Sequence, residues 1–232
     1  MRPEQYEAWY TTQKGAWIGK EEYRLIASLL AIRPSETLLD VGCGTGYFTR
    51  RFAAYAADGT VVGADIDPDT LRFANGHSAH SIGFVAADAR KLPFRDRSFD
   101  LVIAITALCF IREEQQALRE MLRVARRRVV LGLLNRHSLL YLAKGRRGGR
   151  GAYRGARWHT PAEALHLFDG MPVHHADLGT AIVMPSGKHW SRRLEPLLRR
   201  WLPGCGGFIA VAADVPQDHR SQAVSTVSAI HE

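Results

Sequence analysis

The chain has 232 residues, of which 46% are hydrophobic, 23% charged and 9% aromatic. One sizeable core is supported and disordered or fibrous classes are excluded; three scattered cysteines (Cys43, Cys109, Cys205), without C-x-x-C or Cys/His ligand spacing, argue against a disulfide framework or a metal site. The net charge of +8 is local: residues 136–201 hold 12 Lys and Arg against 4 Asp and Glu, and the rest carries 19 of each.

Residues 1–12, MRPEQYEAWYTT, lack the apolar stretch of a signal peptide. The longest apolar run, Leu101 to Ile111 with Thr106 inside it, falls short of the roughly 18 residues of a spanning helix, so a soluble cytoplasmic protein is expected. Residues 21–32 carry a helical stripe of Tyr23, Ile26 and Leu30, with Leu25 and Leu29 beside it, and Arg33-Pro34-Ser35 ends it.

Five short, apolar, β-branched runs follow: Thr37 to Val41, Thr60 to Ala64, Ile82 to Ala87, Phe99 to Ile105 and Arg128 to Leu134. Helical patterns lie between them at Tyr47 to Ala57, Pro68 to Asn75 and Glu113 to Ala125. Runs without strict polar alternation are strands buried on both faces, and alternating helices make the sheet parallel and covered on both sides. Beyond Leu134 the spacing predicts a short helix (Ser138 to Lys144), a Gly- and Arg-rich loop (Gly145 to Arg157) and a helix starting with Thr160 as N-cap and Pro161 behind it. Two late strands (Val173 to Met184, Phe208 to Val215) flank a basic helical stretch around Trp190 to Leu202 that Pro196 interrupts, and Pro216 to Glu232 reads as a frayed tail.

The segment Leu38-Leu39-Asp40-Val41-Gly42-Cys43-Gly44-Thr45-Gly46-Tyr47-Phe48 runs from a strand through three alternate glycines into a helix, with Phe48, Phe52 and Tyr55 facing inward. Glycines suit a sharp turn that touches a ligand with no Cβ between them, and the helix start favours an anion. Tyr47 breaks the dinucleotide pattern G-x-G-x-x-G, and no G-K-[ST] follows. Asp40 can meet a cation, or cap the loop locally. A ligand with both a carboxylate and an ammonium fits better than one with phosphates. Asp65, 19 residues beyond Gly46, can accept both hydroxyls of a ribose, and Asp88 can accept from an adenine amine; either, alone, could be a strand-end turn residue. An amino-acid end, a ribose and an adenine describe S-adenosylmethionine.

On this glycine block, Gly63-Ala64-Asp65-Ile66-Asp67-Pro68, Ala87-Asp88-Ala89 and Leu92-Pro93-Phe94-Arg95-Asp96-Arg97-Ser98-Phe99-Asp100-Leu101-Val102, the chain resembles the class I S-adenosylmethionine-dependent methyltransferases, within the broad group acting mostly on small molecules. The resemblance covers about Leu38 to Leu134. It implies an α/β, Rossmann-like fold: a seven-stranded, mostly parallel sheet with the last strand antiparallel and helices on both faces. It implies one domain, with residues 1–34 a helical lid, 35–135 the cofactor-binding core, 136–215 the acceptor side and 216–232 a tail. Asp40, Gly42, Gly44 and Gly46 would hold the methionine part, Asp65 and Ile66 the ribose and adenine, Asp88 and the Ala89 amide the adenine edge, and Thr106 would sit near the sulfonium. The lid aromatics Tyr6, Trp9, Tyr10 and Trp17 would close over cofactor and acceptor, or simply pack a first helix onto the sheet; Tyr10 is the lid candidate for cofactor contact. Phe94 to Asp100 reads as a scaffold loop, and Cys43, within the loop, as a small filler rather than a nucleophile. The cofactor would leave as S-adenosylhomocysteine.

His137 and His159 are the base candidates, each weak. His174-His175 point to opposite faces of a strand, and His77 and His80 lie near a helix end, so neither pair reads as a metal site. Arg123, Arg126, Arg127 and Arg128 suit the end of a helix. Ile105-Thr106-Ala107-Leu108-Cys109 contains neither an N/D-P-P-Y tetrad nor a Pro-Cys pair, against amino methylation of adenine or glutamine and against cytosine C5 chemistry. Arg146, Arg147, Arg150, Arg154 and Arg157, with Tyr153, form a mobile cationic flap that could attract an anionic small acceptor, bind RNA with Tyr153 or Trp158 stacking, or touch an anionic membrane aided by the Trp190–Trp201 stretch. A small or lipid-like acceptor is favoured and nucleic acid disfavoured. An NAD-linked oxidoreductase and a catalytically silent cofactor-binding partner remain as rivals.

Overall fold

A strand buried along its whole length must have neighbours on both sides, and Leu38–Val41 (β1) has them: β2 (Val61–Asp65) pairs on one side and β4 (Phe99–Ile105) on the other, both parallel. The computed structural model describes residues 2–54, 59–79 and 81–216, so Tyr55, His80 and the tail beyond Pro216 lie outside the described residues. β3 (Gly83–Ala86), β5 (Ala125–Leu134), β6 (Ala176–Ala181) and β7 (Phe208–Asp214) complete a seven-stranded sheet of order β3-β2-β1-β4-β5-β7-β6. β7 runs antiparallel to both β5 and β6, and every other pairing is parallel, as expected.

The helices are α1 (Pro3–Thr11), α2 (Gln13–Leu30), α3 (Tyr47–Ala53), α4 (Pro68–Gly76), α5 (Glu114–Val124), α6 (Pro161–His166) and α7 (His189–Trp201). Alternate strand residues divide the core. Ile26 and Leu30 of α2, with Phe48 and Phe52 of α3, pack on Leu38, Leu101, Ile103 and Val130. Ala117, Leu118 and Met121 of α5 pack on Leu39, Val102, Val129 and Leu131. Burying both faces supplies most of the driving force for a domain of this size. α6 starts as its sequence demands: Thr160 and Glu163 form a reciprocal capping box. No helix among the described residues is long and apolar enough to cross a membrane.

Four local expectations are corrected. α5 stops at Val124 and β5 begins at Ala125 without a loop, so Arg126, Arg127 and Arg128 stand on a strand and not at a helix end. Their partners are Asp100, Glu36 and Asp214, charges brought from distant parts of the chain; Arg123, still in the helix, binds Glu120 and Asp96. Residues 138–145 form a π-type turn at Tyr141–Gly145 rather than a regular helix. The sixth strand is shorter than its apolar pattern, leaving His174 and His175 ahead of it, with His175 bonded to Asp177. α7 runs unbroken through Pro196. Proline removes one intrahelical donor, and the segment is held instead by long-range bonds from Glu195 and Arg192. The scaffold reading of Phe94 to Asp100 agrees with its bonds: Asp100 accepts from the Thr37 amide (2.9 Å) and hydroxyl (2.8 Å), joining the bottoms of β1 and β4.

Candidate functional site

From β1 the chain crosses outward to β2 and β3, then returns past β1 to β4 on the other side. Such a reversal leaves a crevice outside the carboxyl ends of the two strands that part company. A cavity of about 700 Å³ opens there, within the usual range for small-molecule sites. Asp40, Gly42, Cys43, Gly44, Asp65, Ile66, Asp88, Ala89 and Thr106 line it. Tyr10 and Gly46 do not.

The loop geometry explains two glycines. Gly42 has φ +70°, and a Cβ there would stand 2.2 Å from Ala107 Cβ, so no other residue fits. Gly44 has φ +54°, yet a Cβ there would meet no protein atom within 4 Å. Its missing side chain therefore leaves room on the cavity side for a ligand to reach the backbone. Gly46 is the left-handed N-cap of α3 and shapes the loop from behind.

Asp40 is buried, accepts from the Thr49 hydroxyl at 2.7 Å, and has its carboxyl raised to about 7 because burial disfavours the charge. A buried carboxyl that lines a cavity and has no cation partner among the described residues suits a ligand that brings one. Asp65 Oδ2 accepts from the Gly44 amide at 2.8 Å and Oδ1 from the Asp67 amide at 3.0 Å, so one side chain ties the glycine loop to the end of β2. Asp88 is occupied: Arg90 donates through its amide, Nε and Nη2, which also holds the Asp88 carboxyl below its ordinary range. Arg90 spans from there to Glu113 at 2.8 Å. Thr106 has φ +59°, a strained conformation for a β-branched residue, at the tip of β4 where the cavity wall turns. Burial pushes the Cys43 thiol far up, so no thiolate forms and the filler role fits its environment.

α1 is latched onto the loop. Glu7 accepts from the Thr45 hydroxyl at 2.6 Å and pairs with Arg50, whose Nη1 donates to the Thr45 carbonyl at 2.7 Å. Pro3 and Tyr6 of α1 face the cavity, whereas Tyr10 stacks on Tyr47 with centroids 3.6 Å apart and bonds to Tyr6 through its hydroxyl. The correction for Tyr10 is thus one turn of helix: Tyr6, on the same face four residues earlier, occupies the wall. Glu22 of α2 lies within electrostatic reach of Tyr6, Tyr10, Tyr47 and Tyr153, and burial raises its carboxyl to about 8.

His137 and His159 stand outside the cavity. His137 is exposed beyond β5. His159 is buried and bonded through Nε2 to Glu114 at 3.1 Å, in a separate depression with Arg136, Arg157 and Glu163. Chain order put both near β5, but the strand-like bridge between Asn135 and His159 turns them to the α5–α6 side. The flap is folded rather than loose: Arg150 and Gly155 amides donate to Lys144 and Gly148 carbonyls, the Arg157 amide to Cys109, and Trp158 is buried beside Tyr141 and Tyr153. Sequence reasoning named Tyr6 among the aromatics of the first helix but singled out Tyr10, and it missed Glu7 and Arg90. Arg90, two residues after Asp88, had a local signal; Glu7 and Thr45, 38 residues apart, had none.

Residues 39–131 match the model of a methyltransferase domain. A ubiquinone/menaquinone biosynthesis C-methyltransferase of Ectopseudomonas mendocina (strain ymp) is 40% identical over 107 residues, covering 44% of this chain and 42% of that protein, so the match spans less than half of the relative's length. Among solved structures, an S-adenosylmethionine-dependent methyltransferase from Thermotoga maritima superposes with TM-score 0.71 at 19% identity, over 92% of this chain and 95% of that one. Magnesium protoporphyrin IX methyltransferase from Synechocystis PCC 6803, with bound S-adenosylhomocysteine, gives TM-score 0.64 at 16% identity, over 92% and 94%. Residues 39–131 thus carry a methyltransferase domain, and the chain as a whole has the fold of the S-adenosylmethionine-dependent methyltransferases on which it superposes.

Proposed function

We propose that this protein transfers the methyl group of S-adenosylmethionine to a small, lipid-like acceptor admitted between the lid and the flap. The observation that carries this reading is the gathering, in one cavity at the switch point of the sheet, of a buried carboxyl without a cation partner among the described residues (Asp40), a glycine with open space before it (Gly44) and a strand-end acid (Asp65). When bound, the cofactor supplies an electrophilic methyl carbon on a sulfonium with a good leaving group.

The chain's part is to hold and to exclude. Asp40 and the Gly42–Gly44 backbone suit the amino-acid end, and Asp65 suits the ribose, each of its oxygens keeping a lone pair beyond the amide bond it accepts. The Ala89 amide is the free reader of the adenine edge, while Asp88 acts through its bond to Arg90 until that arginine yields. Glu7, Thr45 and Arg50 close α1 over the loop, which keeps water from the reacting centre and holds the acceptor in line. The similarity to a C-methyltransferase of ubiquinone and menaquinone biosynthesis and the aromatic, arginine-edged flap support a lipid-like acceptor.

The test has two steps. Calorimetry with S-adenosylmethionine and S-adenosylhomocysteine should show binding of both; no heat and no thermal shift with either would end the reading. Labelled cofactor incubated with hydroquinones bearing an isoprenoid tail, against water-soluble phenols, should label the former.

Binding should also report the charge of Asp40. The ligand's ammonium favours the carboxylate, so below the raised value of about 7 binding must displace a proton. Affinity for S-adenosylhomocysteine should rise on the order of tenfold from about pH 5.5 to about pH 7. Asp40→Asn should bind more weakly and lose that slope; a slope retained in the variant would assign it to another group.

A further inference from the structure

α7 is turned inside out. An amphipathic helix on a water-soluble domain buries its apolar stripe, but here Ser191 and Glu195 are buried while Trp190, Leu194, Leu197 and Trp201 are 51%, 42%, 53% and 75% exposed. Their spacing of four, three and four residues places all four on one outward face. The inversion has a structural cause: Glu195 accepts from the amides of Ile182, Val183 and Met184, which fixes the polar side inward.

The same face carries charge of one sign. Arg193 and Arg200, seven residues apart, flank the stripe and are exposed, with no carboxylate partner among the described residues, and the helix has no exposed acid because its one acid is Glu195. α7 sits between the carboxyl end of β6 and the start of β7, at the end of the sheet where the cavity opens. The chain just after β5 is tied to it there, since Asn135 Nδ2 donates to the carbonyls of Gly204 (2.8 Å) and Gly206 (2.7 Å) in the loop after α7. The segment that follows adds exposed Leu139 and Leu142 and, at the start of the flap, the exposed Arg146 and Arg147.

We propose that α7 is a membrane-docking helix that lays Trp190, Leu194, Leu197 and Trp201 into the interface of an anionic phospholipid bilayer, with Arg193 and Arg200 at the headgroups. Tryptophans beside arginines on an interfacial helix match the apolar and charged layers of such a surface, and each basic side chain near it adds attraction that salt screens. Docked this way, the protein presents the cavity end of its sheet toward the lipid. The inference stands independently of the methyl-transfer reading, because docking requires no cofactor.

Co-sedimentation of the full chain with vesicles tests it. Binding to vesicles of equal phosphatidylcholine and phosphatidylglycerol should exceed binding to pure phosphatidylcholine by about tenfold or more. Trp190→Ser with Trp201→Ser should lose most of it, as should Arg193→Glu with Arg200→Glu, both without a change in thermal unfolding, since these side chains are exposed. Equal binding to both vesicle types, undiminished binding in the variants, or a dimer in solution that the tryptophan variant dissolves would each overturn it, the last assigning the stripe to a second copy of the chain. S-adenosylhomocysteine binding measured on the same variants should be unchanged, which separates failure of docking from failure of the cofactor site.

Discussion

Asp65→Ala should weaken binding of S-adenosylhomocysteine by at least about tenfold, about 1.5 kcal/mol, as read by calorimetry. The carboxylate holds two separate backbone segments, the Gly44 amide at 2.8 Å and the Asp67 amide at 3.0 Å, and offers its remaining lone pairs to the cavity. Alanine removes the acceptors for a ribose diol and also releases the glycine loop from the end of β2, so the loss joins direct contact to preorganisation. Both effects act on the ligated state more than on the fold, because Asp65 is only half-buried and its amide partners can turn to water. Asp65→Asn should fall between, keeping one acceptor oxygen. Asp88→Ala should cost less, since Arg90 already takes up the acceptor capacity of that carboxylate. Unchanged affinity in Asp65→Ala would mean that the ribose lies elsewhere, and equal losses at Asp65 and Asp88 would mean that Arg90 swings away on binding.

What could be read from the sequence follows how locally each feature is encoded. The glycine loop, Asp65 and Asp88 were legible because strand ends and positive-φ turns leave their mark within a few residues, and the sheet's parallel run follows from uninterrupted apolar stretches. The antiparallel last strand came from resemblance, since no residue of Phe208–Asp214 encodes its direction. Arg126, Arg127 and Arg128 misled because a basic run beside a helix fits the dipole, and only the tertiary pairing with Asp100, Glu36 and Asp214 shows the strand. Tyr6 and Tyr10 are one turn apart on one face of α1, so which of them reaches the cavity is decided by how α1 docks through Glu7. The histidines failed for the same reason in reverse: nearness to β5 in the chain does not say on which side of the sheet the next loop folds. The local +8 is plain in the sequence, but not that part of it is spent in Arg136–Glu163 and Arg157–Glu114 pairs while Arg193 and Arg200 have no carboxylate partner among the described residues.

Glu195→Ala should destabilise the protein by about 3 kcal/mol, a drop in Tm of roughly 6–12 °C for a chain of this length. Glu195 is 2% exposed, and its carboxylate accepts the Ile182 amide at 2.6 Å, the Val183 amide at 2.9 Å and the Met184 amide at 3.4 Å. These donors lie just beyond the end of β6, where Ile182 is held at φ +68° and the strand ladder can no longer pair them. Truncation leaves the buried Ile182 and Val183 N–H groups without acceptors, whereas a change at the exposed neighbour Leu194 does not touch them. Glu195→Gln isolates the charge from the shape: it keeps an oxygen toward Ile182 but turns an amide nitrogen toward donors, so its loss should be intermediate. Because the same carboxylate sets which face of α7 points outward, Glu195→Ala should also raise the hydrogen exchange of α7 and of residues 182–184 above that of β1 and β4. A variant as stable as the parent, or one destabilised with exchange rising uniformly, would mean that packing around α7, and not the Glu195 amide cluster, holds the helix with its apolar side out.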